Sequence, residues 1–519
     1  MKKAIYLIIA LIGLSAPSCS DSMLDFSPTD SGSGKELLKS ASTAITSVNG
    51  VYRSMWTAGW STTANTHQCF GIAAYNLALD CMADDLIMQS QGNGWFWGDH
   101  CYNVKSNYTS SAFRSYDVWY ANYKWIANVN YIIDAEPEMA GTEADVAYVA
   151  GQAYAIRALC YLNLATWFSR APYNSPTGAS RWNEPCVPVY TTGTSIDTGG
   201  QPRESLRTVY GRIDQDIDRA IELLEKARET TLAENNKSHI NLYVALGIKS
   251  RACLAEGDWD GAFKAAKRVI DEGGYAVGTK SDLTSGMNSL DKQNVMWGAG
   301  IQVADQAGGY AGFFTHMDNK EGAYAKSAPK LISKQLYNRI SATDIRRDWW
   351  DPSDKESPYV SKKFSFANVA SFLGDYIYMR VEEMYFTAAE AALRLDDLKS
   401  ARELMNTVMA ERDPGYSANN RSGTLLGATT TTWTGSFLEN ILTHRRIELW
   451  GEYGRLFDVR RLGQGIDRRT DDGFSEECIS MMNRRNVNIT KADTYDWVLT
   501  IPKAELDANP NINEEDQNP

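Results

Sequence analysis

The chain has 519 residues, 43% of them hydrophobic, and its 52 basic and 64 acidic residues give a formal net charge of -12. Nucleic-acid binding depends on concentrated Lys and Arg, so this acidic balance disfavours a polyanionic partner. A chain of this length can bury one large core or two to four packed domains.

The chain begins with a segment built like an export signal. Lys2 and Lys3 precede an apolar run from Ala4 to Leu14, and small residues then lead to Cys19. This order is typical of a cleaved signal rather than a membrane span. We expect residues 1–18 to be removed and Cys19 to carry lipid, although the Ala-Pro-Ser before the cysteine departs from the usual lipoprotein signal. The alternative is an ordinary secretory peptide with Cys19 as a spare thiol. No second apolar run of about 18 residues follows, so a lipid would have to provide any anchor.

Seven further cysteines are scattered without a CxxC pair or Cys/His metal spacing. Cys160 and Cys253 lie in apolar helical stretches, which predicts buried thiols. Cys69, Cys81 and Cys101 are close enough in sequence for one disulfide in an oxidising compartment, and the sequence leaves that open. No cofactor is expected, and no EF-hand-type motif supports Ca²⁺ among the loop acids.

Helical periodicity dominates the readable parts of the chain. Residues from Arg251 to Tyr275 predict a helix, a turn at Gly257-Asp258 and a second helix. A second hairpin runs from Tyr378 to Asp413 and turns at Asp396-Asp397. Hairpins of this size with small residues at the crossings resemble tetratricopeptide repeats, which must stack to bury their faces.

Between the two hairpins, residues 276–377 show no sustained helical period and predict short strands and loops. Thr191 to Gly200 and Ser417 to Thr434 are rich in Gly, Ser and Thr and predict surface loops. Function in such a chain tends to lie in the irregular segments.

Charges of alternating sign recur near the carboxy-terminal end at spacings that allow pairing along and between helices. We interpret this pattern as a structural ion-pair network and not as a catalytic site, and we interpret Arg157 and Glu390 in the same way. The residues are Arg445, Arg446, Glu448, Glu452, Arg455, Asp458, Arg460 and Arg461.

Four stretches, in order along the chain, carry a resemblance to a known family. They are LDFSP at 24–28, AYAIRALCYLNLATWFSRAPY at 153–173, the 378–413 hairpin together with HRRIELWGEYGRLFDVRRLG at 444–463, and TIPKAELDANPNINEEDQNP at 500–519. Together they resemble the SusD/RagB group of outer-membrane nutrient-binding lipoproteins.

The resemblance implies a mainly α fold, a tetratricopeptide-like helical scaffold with long inserted loops and short β-strands forming a ligand-binding face. It implies one domain over 19–519, with a helical part at 19–273, an irregular ligand-side insertion at 274–377 and a helical region at 378–519. It further implies that the protein sits in the outer membrane over a TonB-dependent barrel transporter as a lid that captures nutrient.

A site for neutral sugars needs flat aromatic rings with amide and hydroxyl groups nearby, and two stretches fit that need. In residues 89–99 we expect Trp95 and Trp97 to stack on a ligand, with Gln91 and Asn93 as polar partners. In residues 297–319 the candidates are Trp297, Tyr310, Phe313 and Gln302, although the surroundings of Trp297 are equally typical of a buried strand.

Other functions remain open from the sequence. The cargo could be peptide or another nutrient, as in RagB-like relatives, and a purely adhesive surface protein is a third reading. A glycoside hydrolase has little support, because the chain lacks HExxH, G-x-S-x-G and phosphate-loop motifs and because 64 acids make any carboxylate pair uninformative. We therefore expect glycan binding without enzymatic activity.

Overall fold

The structure, a computed structural model, describes residues 34–57, 66–103, 113–174, 179–195, 197–233, 237–302, 311–492 and 494–519. Helices make up most of its regular secondary structure and the strands are short, which confirms the predicted mainly α fold. Within these ranges, no helix combines the length and hydrophobicity needed to cross a bilayer.

The first half of the scaffold is a row of helices. Their bounds are α1 Gly34–Leu37, α2 Ala41–Ser54, α3 Ile72–Met82, α4 Trp97–His100, α5 Phe113–Ala135, α6 Glu143–Phe168, α7 Leu206–Lys226, α8 Leu242–Glu256 and α9 Trp259–Glu272. Each long helix from α5 to α9 packs against the next one along the chain. This is the stacking that the predicted repeats need to bury their apolar faces.

The second half adds shorter helices and a further hairpin. Their bounds are α10 Lys280–Leu283, α11 Phe313–Met317, α12 Ala323–Ser327, α13 Lys334–Tyr337, α14 Val381–Arg394, α15 Leu398–Ala410, α16 Phe437–Glu448, α17 Arg455–Arg461, α18 Glu476–Arg484 and α19 Lys503–Ala508. Helix α14 packs against α9, α15 and α16, so the two hairpins predicted from the sequence join into one scaffold.

Both predicted hairpin turns form where the sequence places them. Helix α8 ends at Gly257, whose φ of 77° lies in the left-handed region that glycine tolerates best. Asp258 then caps α9 by accepting the Gly261 N–H at 3.0 Å, and Asp397 caps α15 in the same way from Ser400. The second hairpin begins later than predicted, because residues up to Arg380 form a strand.

In the described ranges, eight short strands lie mostly in and around the irregular insertion. They are β1 Leu86–Ile87, β2 Tyr173–Asn174, β3 Ala179–Ser180, β4 Val295–Ala299, β5 Leu331–Ile332, β6 Trp350–Asp351, β7 Val360–Ser361 and β8 Tyr376–Arg380. One antiparallel sheet has the order β1-β5-β7-β6, and β4 pairs with β8. The prediction of short strands in this region is confirmed, and β8 crosses the expected boundary at residue 377.

A buried charge cluster holds the insertion against the second half of the helices. We use that name for Lys363, Arg346, Arg380, Arg412, Glu382, Glu448 and Glu452, all of them buried. Glu448 accepts from Arg380 at 2.9 Å and from Arg346 and Arg412 at 3.0 Å, while Glu452 pairs with Arg380 at 2.7 Å and Lys363 at 2.5 Å. Burial alone would raise the pKa of Glu448, but Arg412, Arg380 and Arg346 outweigh it and hold that pKa well below its usual range.

The other signature residues also have structural partners. The ion pairs are Arg445–Asp458 at 2.8 Å, Arg461–Asp458 at 2.7 Å, Arg461–Glu390 at 2.8 Å, Arg446–Asp85 at 2.5 Å, Arg455–Asp84 at 3.1 Å and Arg157–Asp216 at 2.7 Å. Arg460 instead donates to the backbone carbonyls of Thr166 and Ser169. The predicted ion-pair network is therefore confirmed, except that Arg460 bonds to backbone carbonyls at the end of α6 and not to a carboxylate.

The seven described cysteines are all free and buried. Cys160 and Cys253 lie in the core as predicted, with exposed fractions of 0% and 3%. Cys69, Cys81 and Cys101 form no disulfide, which answers the question that their spacing left open.

Candidate functional site

The loop between β1 and α4 buries Trp97 and leaves Trp95 partly exposed. Phe96 has a φ of 62°, a left-handed conformation that costs a bulky residue about 1–2 kcal/mol. Its ring is fully buried and its N–H donates to Gln68 Oε1 at 2.7 Å, which holds the kink in place. As a result Phe96 and Trp97 point into the core, and Trp95 is left partly exposed.

Trp95 belongs to a cluster of three partly exposed aromatic side chains, which we call the aromatic cluster: His67, Trp95 and Tyr324. The Trp95 and His67 rings are stacked, with centroids 4.7 Å apart and planes 15° apart. Tyr324 meets Trp95 edge-on at 6.0 Å and His67 edge-on at 5.5 Å. Flat rings fixed against each other in this way offer a rigid apolar surface to a ligand.

Hydrogen bonds beneath the rings fix the aromatic cluster. The Tyr324 hydroxyl and His67 Nδ1 are 2.5 Å apart, and His316 Nε2 donates to the His67 carbonyl at 2.6 Å. Burial holds the pKa of His316 well below its usual range, so this histidine is neutral near pH 7. His316 therefore adds no positive charge beneath the aromatic cluster.

An amide and hydroxyl rim adjoins the aromatic cluster. Gln91 and Asn93 are exposed, and Ser327 donates to Asn93 Oδ1 across the gap between the loop and α12. Gly92 makes this approach possible, since its φ is 51° and an added Cβ would lie 2.7 Å from the Ser327 carbonyl oxygen. The rim supplies donors and acceptors next to flat rings.

The sheet explains why residues so far apart in sequence meet here. Strand β1 immediately precedes the Trp95 loop, and β5 follows α12 after a few residues. The two strands pair antiparallel, Leu86 with Ile332 and Ile87 with Leu331. This pairing brings Tyr324 near the Trp95 loop, and His67, 257 residues before Tyr324, contacts its hydroxyl there.

The two predicted stretches do come together, but most of the predicted aromatic residues are internal. Phe96 contacts His316 of α11 edge-on at 5.0 Å, which joins the first stretch to the second. Trp97, Trp297 and Phe313 are only 3%, 1% and 8% exposed. Ligand stacking on these three as predicted is contradicted by their burial.

For Trp297 the alternative of a buried strand is the one the structure shows. It lies in β4, all of whose residues are buried, and its Nε1 donates to the Ser238 carbonyl at 3.1 Å. Phe313 packs edge-on against Phe364 at 5.1 Å. Both residues belong to the main hydrophobic core.

The remaining predicted residues divide between exposed positions and positions outside the described ranges. Gln302 is exposed at the end of a described segment. Tyr310 and Cys19 lie outside the described residues. His67 and Tyr324 were missed, because neither stands in an aromatic-rich stretch and only the tertiary pairing brings them to Trp95.

The described part of the chain has no group of three or more His, Cys, Asp or Glu side chains placed to hold a metal ion. The aromatic cluster and its rim are made of imidazole, indole, phenol, amide and hydroxyl groups. Such a set suits non-covalent binding of an uncharged ligand that has both apolar faces and hydroxyl groups.

Two family models match separate parts of the chain. Residues 325–519 match the family described as the SusD family, and residues 43–254 match the family described as starch-binding associating with outer membrane. No curated protein sequence matches the chain.

Solved structures with the same fold cover nearly all of the chain. A SusD-like carbohydrate binding protein from Bacteroides vulgatus is 25% identical with a TM-score of 0.73, covering 92% of this chain and 98% of its own. A SusD superfamily protein from Bacteroides thetaiotaomicron is 22% identical with a TM-score of 0.72, covering 92% and 100%. Surface glycan-binding protein A from Bacteroides uniformis is 16% identical with a TM-score of 0.63, covering 92% and 99%.

Proposed function

Because this chain belongs to the SusD/RagB family, we propose that it is a glycan-binding protein of the outer membrane that holds an oligosaccharide on the aromatic cluster. The observation that carries the proposal is the stacked Trp95–His67 pair, partly exposed beside an amide and hydroxyl rim. A pyranose ring has weakly polar faces and a periphery of hydroxyls, so it matches rings and rim at once.

The wider role that we propose is delivery to a transporter. In it, lipid on Cys19 holds the chain at the outer membrane, and the chain acts as the lid of a TonB-dependent barrel. A short tether keeps the lid close to the barrel and raises the effective concentration of the closed complex. Cys19→Ala should release the protein from the membrane fraction and lower its recovery with a barrel protein; unchanged retention and uptake would refute this part.

The proposed activity is binding without catalysis. Glycoside hydrolysis normally uses two carboxyl groups on either side of the scissile bond. The aromatic cluster and its rim instead offer aromatic, amide and hydroxyl groups. Incubation with oligosaccharides should therefore yield no new reducing ends, and their appearance would restore the enzyme interpretation.

The site is tested by calorimetric titration of the full-length protein in mild detergent. The probes are maltoheptaose, cellohexaose, xylohexaose and mannohexaose, which cover four neutral backbones. Trp95→Ala and Tyr324→Ala should each weaken the tightest probe at least about tenfold, about 1.4 kcal/mol, because each removes a ring face. Trp433→Ala is the matched control, since Trp433 is also partly exposed but stacks under Arg339 at 3.7 Å. Equal affinity in all four proteins would refute the site.

A further inference from the structure

A second aromatic cleft opens on another part of the scaffold. It has a volume of about 490 Å³ and lies between α5, the loop after Tyr190 and α19. Its walls include Trp119, Tyr120, Tyr123 and Tyr190, and Glu505 of α19 closes one end. Pockets that bind small ligands typically measure about 300–1,000 Å³, so the cleft is large enough to hold one or two sugar rings.

The cleft is separate from the aromatic cluster. Arg114, near the start of α5, is buried and lies over the Phe96 ring at 5.4 Å, so that face of α5 supports the Trp95 loop. Tyr123 is nine residues further on, which corresponds to about 13 Å along the axis and half a turn around the helix. The two regions therefore lie on different faces of α5.

The walls of the cleft are fixed by internal contacts. Trp119 and Tyr123 have ring centroids 4.9 Å apart, and Tyr190 meets Tyr123 edge-on at 5.9 Å. The Tyr123 hydroxyl donates to the Pro188 carbonyl at 2.8 Å, and the Tyr190 hydroxyl accepts the Gln201 N–H at 3.0 Å. A ligand would bind to walls that are already ordered, which lowers the entropic cost of association.

Glu505 is held in place as firmly as the rings. Its Oε2 accepts from Trp119 Nε1 at 3.2 Å, and its Oε1 accepts from Asn509 Nδ2 at 2.8 Å. Lys124 also lines the cleft and lies over the Tyr120 ring at 5.5 Å. One carboxylate and one ammonium balance each other, so the cleft has no excess charge to select an ion.

The rest of the rim is made of hydroxyl residues. Thr194, Ser195 and Thr198 line the cleft beside the aromatic walls. Ser195 and Thr198 are exposed, so their hydroxyl groups can exchange water for a ligand. Flat apolar walls, a neutral balance of charge and a hydroxyl rim together suit a ligand that has both apolar faces and hydroxyl groups.

We propose that this cleft is a second binding site for a neutral oligosaccharide, separate from the aromatic cluster. A cleft of this volume lined by four aromatic side chains with a few polar groups has the character of a small-ligand pocket. The second site is independent of the Trp95 proposal, and either can fail alone.

The test blocks the cleft without removing any of its contacts. Ala127 lines the cleft, and Ala127→Trp would fill it. Asn128→Trp is the matched control, because Asn128 is the next residue on the same helix, is exposed and lies outside the cleft lining. Both variants and Trp95→Ala are titrated by calorimetry with the four saccharide probes named above, using the full-length protein.

We expect the wild type and Asn128→Trp to bind two molecules of the best short probe, and Ala127→Trp and Trp95→Ala to bind one each. An unchanged stoichiometry and affinity in Ala127→Trp would overturn the cleft proposal while leaving the Trp95 site intact. If Ala127→Trp loses one site and Trp95→Ala loses none, the Trp95 site would be overturned and the cleft proposal would stand.

Two further outcomes would also overturn the cleft proposal. If no probe binds the wild type, both sites fall. If Ala127→Trp keeps full saccharide binding but no longer co-purifies with a membrane protein that accompanies the wild type and Asn128→Trp, the cleft is a protein-docking surface.

Discussion

The buried charge cluster and the aromatic cluster both join residues that are far apart in sequence, but the first is closed to solvent and the second is partly exposed. In the charge cluster, Glu448 alone contacts three arginines and no atom of its side chain reaches water. In the aromatic cluster, Trp95 stacks on one neighbour and keeps part of its surface exposed. The first arrangement stabilises the fold, and the second leaves contact surface available for a ligand.

The largest expected effect is on stability and comes from the charge cluster. Glu448→Gln would leave Arg346, Arg380 and Arg412 buried without their shared carboxylate, and removing one partner of a buried pair costs about 3–5 kcal/mol. Denaturant unfolding should show a loss of that size or a failure to fold. The exposed pair Lys264–Asp260 gives the matched control, because Lys264→Ala should cost no more than about 0.5 kcal/mol. Similar losses of unfolding free energy in the two variants would contradict the conclusion that the buried cluster contributes more to stability than an exposed pair.

The second-largest expected effect is a change of the unfolding free energy with pH, which occurs in two separate pH ranges. Arginine partners outweigh burial and hold the pKa values of Glu448 and Asp458 below their usual range, so their stabilisation is present above about pH 4 and is lost as pH falls. Asp80 behaves in the opposite way, because burial raises its pKa to about 7. Its favourable contribution is complete below about pH 4 and is lost as pH rises through about 7.

The two pH ranges can be separated by variants. Asp80→Asn should flatten the decline in unfolding free energy between about pH 4 and 7 without changing the acid limb. Glu448→Gln, if it folds, should flatten only the acid limb. Unfolding curves across this pH range provide the measurement, and an identical profile in wild type and Asp80→Asn would contradict the proposed role of Asp80.

The smallest effect comes from the support of the aromatic cluster. Tyr324→Phe keeps the ring but removes the hydroxyl that contacts His67 Nδ1, so saccharide affinity should fall only a few fold, about 0.5–1.5 kcal/mol. Tyr275→Phe removes a tyrosine hydrogen bond with Asn241 in the helical scaffold and should leave affinity unchanged. A tenfold loss in Tyr324→Phe would mean that the hydroxyl contacts the ligand directly.

Local sequence was sufficient for the scaffold. Gly257 and Asp258 carry the conformational freedom and the cap that a helix end and a helix start need, so the hairpin there could be predicted. The alternating charges of Arg445 to Arg461 likewise indicated pairing, although not that Arg346 and Arg380 would share Glu448.

Local sequence was insufficient for the site. Trp95 and Trp297 each stand next to small or apolar residues, and the surroundings of Trp297 fitted a buried strand and a ligand-facing position equally well. Pairing of β4 with β8 buries Trp297, whereas the left-handed turn at Phe96 leaves Trp95 partly exposed. Tyr324 lies far along the chain from Trp95 and comes near it through the pairing of β1 with β5.

The β1–β5 pairing also separates the strand residues that position the two chain segments from the residues of the proposed site. Leu86, Ile87, Leu331 and Ile332 fix the two chain segments in register, while Trp95 and Tyr324 of the proposed site lie in the loop after β1 and in α12 before β5. Changing the residues around Trp95 or Tyr324 while keeping these four strand residues would alter the proposed site and leave its two segments in register. The pairing is therefore the natural junction at which to exchange loops when a variant with a different cargo is engineered.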